Sequence, residues 1–488
     1  MPGLYQKNKR GIDMDKVALK NWHTTGKERK SYYLYFLGQN IIYSMVVTFL
    51  TTYLLFQGVD PVKSASVMLI VKIWDAVNDA IFGCIFDKVK FKSKQKFMPW
   101  LKISLPIIPI STALIYMIPN GSSEIVKLLW FAVFYLVWDT AYTLCDVPIY
   151  GIVTAMTDNL DERTSLLSYK SIWAGAGSAI ATVVPTIITG QQVGLSFGVA
   201  AIIVSVIAFI TMIPMCKNGK ERFVNNDAEE EQFTVRMMFK YLFSNKYLLI
   251  YYAGFFFQSG FNVMTSMNLL ASYYLFGNEF FSLLVGALAV APMLVASLFV
   301  PKMVEKYGKR KIFIMSNWAA VILGTISWIL GYHNVIVFII LTVLRAVPLG
   351  IQGVMLFMFT PDCAEYGKFK TGIDAKGITF AIQTFMAKIT GAMSAALGMF
   401  LLGFFKWKEV NAESFQDLAA QNVQQSEFTL NGLWFIYIMV PTIGIIISGI
   451  IWHFYKLKDA DVKLMIDCNN GKITREEALE KISIKNEF

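Results

Sequence analysis

Asp75, Asn78 and Asp79 fall within one helical turn inside Ser64–Phe86, a stretch that is otherwise mostly apolar. Positions i, i+3 and i+4 share one face of a helix, so two carboxylates and an amide point the same way. An acid near the centre of a bilayer costs about 2.5–3.5 kcal/mol on insertion scales. Oxygen ligands around residual negative charge suit a small cation, Na⁺ or H⁺, with Li⁺ as a surrogate. Lys72, three residues before Asp75, can neutralise that acid as a structural ion pair. Such a pair accounts for one acid only; a purely structural cluster stays open as the alternative.

A second stripe holds Asp139, Thr143, Asp146 and Tyr150, spaced four, three and four residues apart and so on one helix face. The Thr143 hydroxyl can complete a cation shell. Asp146 can accept hydrogen bonds from two sugar hydroxyls, and Tyr150 offers a ring and a phenol to a pyranose. A polar stripe that merely joins helices explains Thr143 but leaves two acids over. Asp139 reads as lying near the external end of its span. A third stripe holds Gln383, Thr384 and Lys388. A lysine at that depth needs an acid or a water-filled cavity, unless tilt lets it snorkel. Arg345 either grips a substrate carboxylate bidentately, which points to a uronide, or holds the helices together. Trp173 and Tyr273 or Tyr274 are candidate sugar platforms. The other aromatic residues belong to the core, the lipid face or interfacial belts.

Spanning helices are needed to hold these stripes. Only 16% of the 488 residues are charged, against about 25% in a soluble domain. Apolar stretches of about 20 residues, enough to cross a bilayer core, recur along the chain. Backbone groups in lipid are satisfied internally, so the spans are helices; the alternation of a membrane barrel is absent. About twelve spans are expected. Six run over Ser31–Phe56, Ser64–Phe86, Met98–Ile118, Glu124–Met156, Ser165–Thr189 and Leu195–Met215. Six more run over Tyr247–Leu275, Phe281–Met303, Ile312–Leu330, Asn334–Phe359, Gly372–Phe405 and Thr429–Tyr455. A charged linker, 217–245, divides the halves 31–216 and 246–456. A polar N-terminal segment, 1–30, and a tail, 457–488, flank them. Segment 1–30 has no apolar core and is not read as a cleavable signal. In the tail, Thr474 and Glu477 are spaced as a capping box.

The net charge of +10 does not point to nucleic acid. Lysine and arginine gather in the loops after the second and eighth spans, Lys88–Lys96 and Lys302–Lys311, and the loops after spans one, three, five, seven and nine carry almost none. This positive-inside pattern makes both termini cytoplasmic in a multi-pass protein of the cell membrane, with loop 406–428 outside. The five cysteines show no CxxC or metal spacing, which argues against a disulfide framework and a metal centre other than a Na⁺ site. P-loop, HExxH and GxSxG patterns are missing. Neither an enzyme nor a cofactor is expected. A charged turn follows the second span in both halves. Paired six-helix halves of this kind resemble the all-α major facilitator fold, whose halves rock around a midplane site.

Four motifs in order carry a closer resemblance: Lys72-Ile73-Trp74-Asp75-Ala76-Val77-Asn78-Asp79, Tyr142-Thr143-Leu144-Cys145-Asp146-Val147-Pro148, Asp362-Cys363-Ala364-Glu365-Tyr366-Gly367, and Gln383-Thr384 with Lys388. Together they resemble the glycoside–pentoside–hexuronide:cation symporters, over about Tyr32 to Tyr455. The resemblance implies a cation site at Asp75, Asn78, Asp79 and Thr143, a sugar contact at Asp146, and coupling of the halves through Lys388. Tyr150 stands where the family's type member has a tryptophan. Asp362 and Glu365 would serve gating. The chain departs from the pattern at Asn40, which aligns with an acid of the sugar site. It departs again on the fifth span, where Ser171 takes the place of a basic residue and Lys170 lies one position away. These changes argue against an α-galactoside.

The expected function is a secondary active symporter, acting as a monomer, that imports a glycoside, oligosaccharide or uronide with Na⁺ or H⁺. The rivals are a same-fold transporter of another organic solute or a lysolipid, a membrane sugar sensor, and a channel. Scattered buried charges fit alternating access better than a ring-lined pore.

Overall fold

The computed structural model describes residues 22–89, 91–93, 95–223 and 235–485, with the side chains of 76, 77, 79–81, 83–88 and 235 also outside the description. The first half consists of α1 (Gly26–Leu55), α2 (Pro61–Lys88), α3 (Met98–Ile115), α4 (Glu124–Met156), α5 (Leu160–Thr189) and α6 (Phe197–Asn218). Local chemistry sets their starts. Thr25 and Glu28 form a capping box at α1, and the Asn159 and Ser196 side chains accept from the first turns of α5 and α6. Of the linker, residues 224–234 lie outside the described residues.

The second half opens with a short α7 (Val235–Ser244). It continues with α8 (Lys246–Gly260), α9 (Met264–Phe276), α10 (Phe281–Tyr307), α11 (Lys309–Leu330), α12 (Val335–Met355), α13 (Phe359–Thr371) and α14 (Lys376–Phe404). A loop helix α15 (Phe415–Gln421) precedes α16 (Glu427–Trp434), which runs through a π turn, Phe435–Met439, into α17 (Val440–Trp452). The tail forms α18 (Asp459–Asn469) and α19 (Arg475–Lys481). The Thr474–Glu477 capping box opens α19.

The expected twelve passes are present as helices, with corrections to their continuity. The seventh is broken between Gly260 and Met264. A break in lipid is tolerated where a neighbour satisfies the freed backbone, and here Ser394 Oγ of α14 donates to Asn262 O at 2.7 Å. The tenth pass breaks between Met355 and Phe359, and the twelfth contains the π turn. Among the described residues, ten helices are long and apolar enough to cross a membrane. The other two passes are α2, diluted by Lys72, Asp75 and Asp79, and the broken α8–α9.

Within the first half α1 packs on α5 and α6, and α4 on α2 and α3. Within the second, α12 packs on α10 and α11, and α17 on α8 and α11. Between halves, α2 lies against α14 and α1 against α9. At the end carrying α15, Ala412 N donates to Phe56 O at 2.9 Å and Asn120 Nδ2 to Glu413 Oε1 at 2.5 Å. Phe415 packs there against Phe56, Phe197 and Tyr273. At the opposite end Lys309 pairs with Asp362 and, at 3.4 Å, with Asp459.

Candidate functional site

Four helices wall a cavity of about 410 Å³. Asn40 and Tyr43 come from α1, Lys72 and Asp75 from α2, Asp139, Thr143, Asp146 and Tyr150 from α4, and Thr384 and Lys388 from α14. Asp75 of the first predicted stripe and all four residues of the second therefore face one space, and α14 closes it from the other half. Asp75 lies near the middle of the 28-residue α2, at midplane depth.

Lys388 Nζ meets Asp75 Oδ1 at 2.5 Å. The partner of Asp75 is thus Lys388 and not Lys72, the partner in the structural alternative. The close packing of α14 on α2 carries Lys388 to the acid, while Lys72 Nζ stands over the Tyr135 ring, 5.5 Å from its centroid. Lys388, expected to need an acid at this depth and to couple the halves, is thus held by an acid of the cation stripe.

Asn78 is buried and donates through Nδ2 to Thr143 Oγ1 at 3.1 Å and Asp139 Oδ2 at 3.3 Å. Asp139 is only 3% exposed, which corrects its expected place near a span end. The helix α4 has 33 residues, about 50 Å at about 1.5 Å per residue, so Asp139 falls in its middle. The Asp79 side chain lies outside the described residues.

Asp146 Oδ1 accepts from Gln39 Nε2 at 2.7 Å. The sequence pointed to Asn40, but its Nδ2 turns back to Phe36 O at 2.9 Å, although Asn40 still lines the cavity. Gln39 was missed. Its signal was a polar side chain in an apolar run beside Asn40; only the rotation of α1 decides between them. On α5, Lys170 and not Ser171 approaches the site. Lys170 Nζ stands 3.7 Å from the Tyr150 ring centroid and 4.5 Å from that of Phe36, while Ser171 Oγ bonds to Leu167 O.

The remaining expected residues divide between this cavity and other places. Thr384 lines the cavity, whereas Gln383, one position round α14, does not line it and keeps a buried Oε1 without a partner. Tyr273 packs on Phe415 and Tyr274 on Trp407, which removes both as platforms in this cavity; Trp173 is exposed on α5. Arg345 lines a different cavity. Asp362 pairs with Lys309. Glu365 pairs with Lys376 at 2.8 Å and accepts from Asn469 Nδ2 at 2.8 Å. All of these partners belong to the second half and its tail.

The arrangement resembles known transporters. A nucleoside transporter, NupG, superposes with a TM-score of 0.63 at 12% identity, covering 87% of this chain and 100% of its own; that likeness concerns the fold. The isoprimeverose transporter of Lactiplantibacillus pentosus is 24% identical over 468 residues, 93% of this chain and 93% of that protein. A glucuronide carrier protein homolog of Escherichia coli (strain K12) is 23% identical, over 92% of this chain and 96% of its own length. The family model of MFS/sugar transport proteins matches residues 31–459. That match takes in both halves and every residue of the cavity, and the chain belongs to the MFS/sugar transport protein family, as a multi-pass sugar symporter of the major facilitator fold.

Proposed function

We propose that this symporter imports a glycoside, oligosaccharide or uronide with Na⁺ or H⁺ by alternating access across the cell membrane, as a monomer with both termini in the cytoplasm. Asp75, Asn78, Asp79 and Thr143 hold the cation, with Asp139 beside them; Li⁺ serves as a surrogate, and no other cofactor takes part. Asp146, Gln39, Asn40, Tyr150, Lys170 and Thr384 receive the sugar. The relatives named for isoprimeverose and glucuronide transport support a glycoside over other solutes.

The observation that carries this reading is the ion pair between Asp75 and Lys388, one residue from each half. Without a bound cation, the ammonium of Lys388 neutralises Asp75. A cation that takes Asp75 displaces Lys388 and releases a tie between α2 and α14. The first half is then free to rock against the second, and the charge beside Asp146 changes as the sugar binds. Cation and sugar raise each other's affinity by the same factor, as linkage requires. Asp362 and Glu365 act at the far end of the second half, away from the ligands.

Uptake of a mixed glycoside panel into vesicles, with and without a Na⁺ or proton gradient, tests the proposal. Asp75→Cys and Asp79→Cys are expected to reach the membrane and to lose gradient-driven accumulation. Normal uphill uptake by both variants removes the cation assignment.

A further inference from the structure

Arg345 lies halfway along α12, Val335–Met355. About 15 Å of helix separates it from either end at about 1.5 Å per residue. In a core about 30 Å thick this is the midplane, out of reach of lipid headgroups. The residue is 3% exposed. Nη2 donates to Thr442 Oγ1 at 3.0 Å, and Thr442 passes the bond on to Ile438 O at 2.6 Å. Nε and Nη1 are buried without a hydrogen-bond partner. Gly324 of α11 makes room for the pair: a Cβ there would clash with Thr442 Oγ1 and meet Arg345 Cζ and Nη2 at 3.1 Å.

The guanidinium lines a cavity of about 680 Å³ whose walls come from both halves. Thr48 of α1 and Ser178 of α5 face Asn268 of α9 and Tyr437 across it, and no Asp or Glu is among its described lining residues. Tyr437 belongs to the π turn and donates from its hydroxyl to Asn268 Oδ1 at 2.7 Å. Such turns inside α-helices gather at functional sites. A third cavity, of about 360 Å³, shares Tyr43, Lys72 and Gly391 with the Asp146 cavity and Thr265 with the Arg345 cavity. The three spaces abut at membrane depth.

A buried cation with no neighbouring acid is costly in lipid, and one bonded nitrogen leaves most of the five N–H donors of a guanidinium to offer. We infer that Arg345 is an anion-recognising subsite for the transported sugar, receiving the carboxylate or sulfonate of an acidic glycoside. The inference rests on the proposal that sugar binds beside Asp146, and it adds a second contact across the midplane, in the other half. An acid group bound there bridges Arg345 to the walls of α1 and α5.

Calorimetric binding to the purified full-length protein tests it with three probes: methyl glucoside, methyl glucuronide and methyl sulfoquinovoside. The wild type is expected to bind at least one acidic probe about ten- to a hundredfold more tightly than the neutral one, the range of a charge-assisted hydrogen-bonded pair. Arg345→Gln removes that preference and leaves the glucoside affinity within about threefold, and Arg345→Lys keeps part of it. Gly324→Ala, which displaces Thr442 Oγ1 and crowds the guanidinium without removing charge, lowers the preference and serves if Arg345→Gln fails to fold. A wild type without preference for either acid overturns the subsite, and so do variants that weaken neutral and acidic probes equally. A wild type that binds none of the three overturns the sugar site itself, and the subsite with it; neutral binding that survives with no acid preference overturns the subsite alone.

Discussion

Two cationic groups facing the cavities of this protein meet opposite fates. Lys388, in the cavity of Asp75 and Asp146, is paired with an acid of the other half at 2.5 Å. Arg345, in the cavity beyond, has a hydroxyl for one nitrogen and nothing for the other two. Desolvation acts on both charges. In the first cavity the protein itself answers it, so a ligand arriving there competes with a bond already made. In the second a ligand adds a bond and breaks none. Internal pairing favours exchange and therefore coupling; an unanswered charge favours recognition.

The largest effect that bears on this contrast is expected at Asp146. Asp146→Ala removes the acceptor that Gln39 now holds, and sugar affinity measured by equilibrium binding is expected to fall by about a hundredfold or more, the loss of two or more bonds to a charged group. Unchanged affinity moves the sugar site elsewhere. Next comes Lys388→Met, which leaves Asp75 without its cation. Both side chains are about a quarter exposed (24% and 25%), so the cost lies below that of a dry pair, about 1–3 kcal/mol. Thermal unfolding of Lys388→Met, Asp75→Asn and the double variant should show coupling, with the double variant more stable than the sum of the singles predicts. Additive effects break the claim that the pair carries the tie. The smallest effect is expected for Lys72→Met. A lysine over the Tyr135 ring contributes about 0.5–1 kcal/mol, so stability and cation-driven uptake should change little. A loss as large as that of Lys388→Met restores Lys72 as the partner of Asp75.

The spacing of residues along each helix was legible, and the partner across the gap was not. Asp75 with Asn78, and Asp146 with Tyr150, share faces as i, i+3 and i+4 geometry requires. Which neighbour meets a face depends on packing between helices far apart in sequence. Hence Lys388 takes Asp75 in place of Lys72, and Asp139 meets Asn78 in mid-membrane. A single residue step turns a side chain by about 100°. That step separates Gln39 from Asn40, Lys170 from Ser171, and Thr384 from Gln383. The twelve passes followed from apolar length. The break at Phe261–Val263 did not, because the bond that permits it comes from Ser394, more than a hundred residues later.

At the tail end, Lys309 of α11 holds Asp362 of α13 and Asp459 of α18, and Asn469 of α18 holds Glu365 of α13. These fasteners join parts of one half to each other. The second half is consequently braced from within, as a stiff unit whose far arm carries its own support. The Lys309 and Asp362 side chains are only 16% and 11% exposed, and salt screens charges so enclosed far less than charges in open solvent. Added salt should therefore leave the brace stiff, and any loss of transport at high ionic strength would have to arise elsewhere.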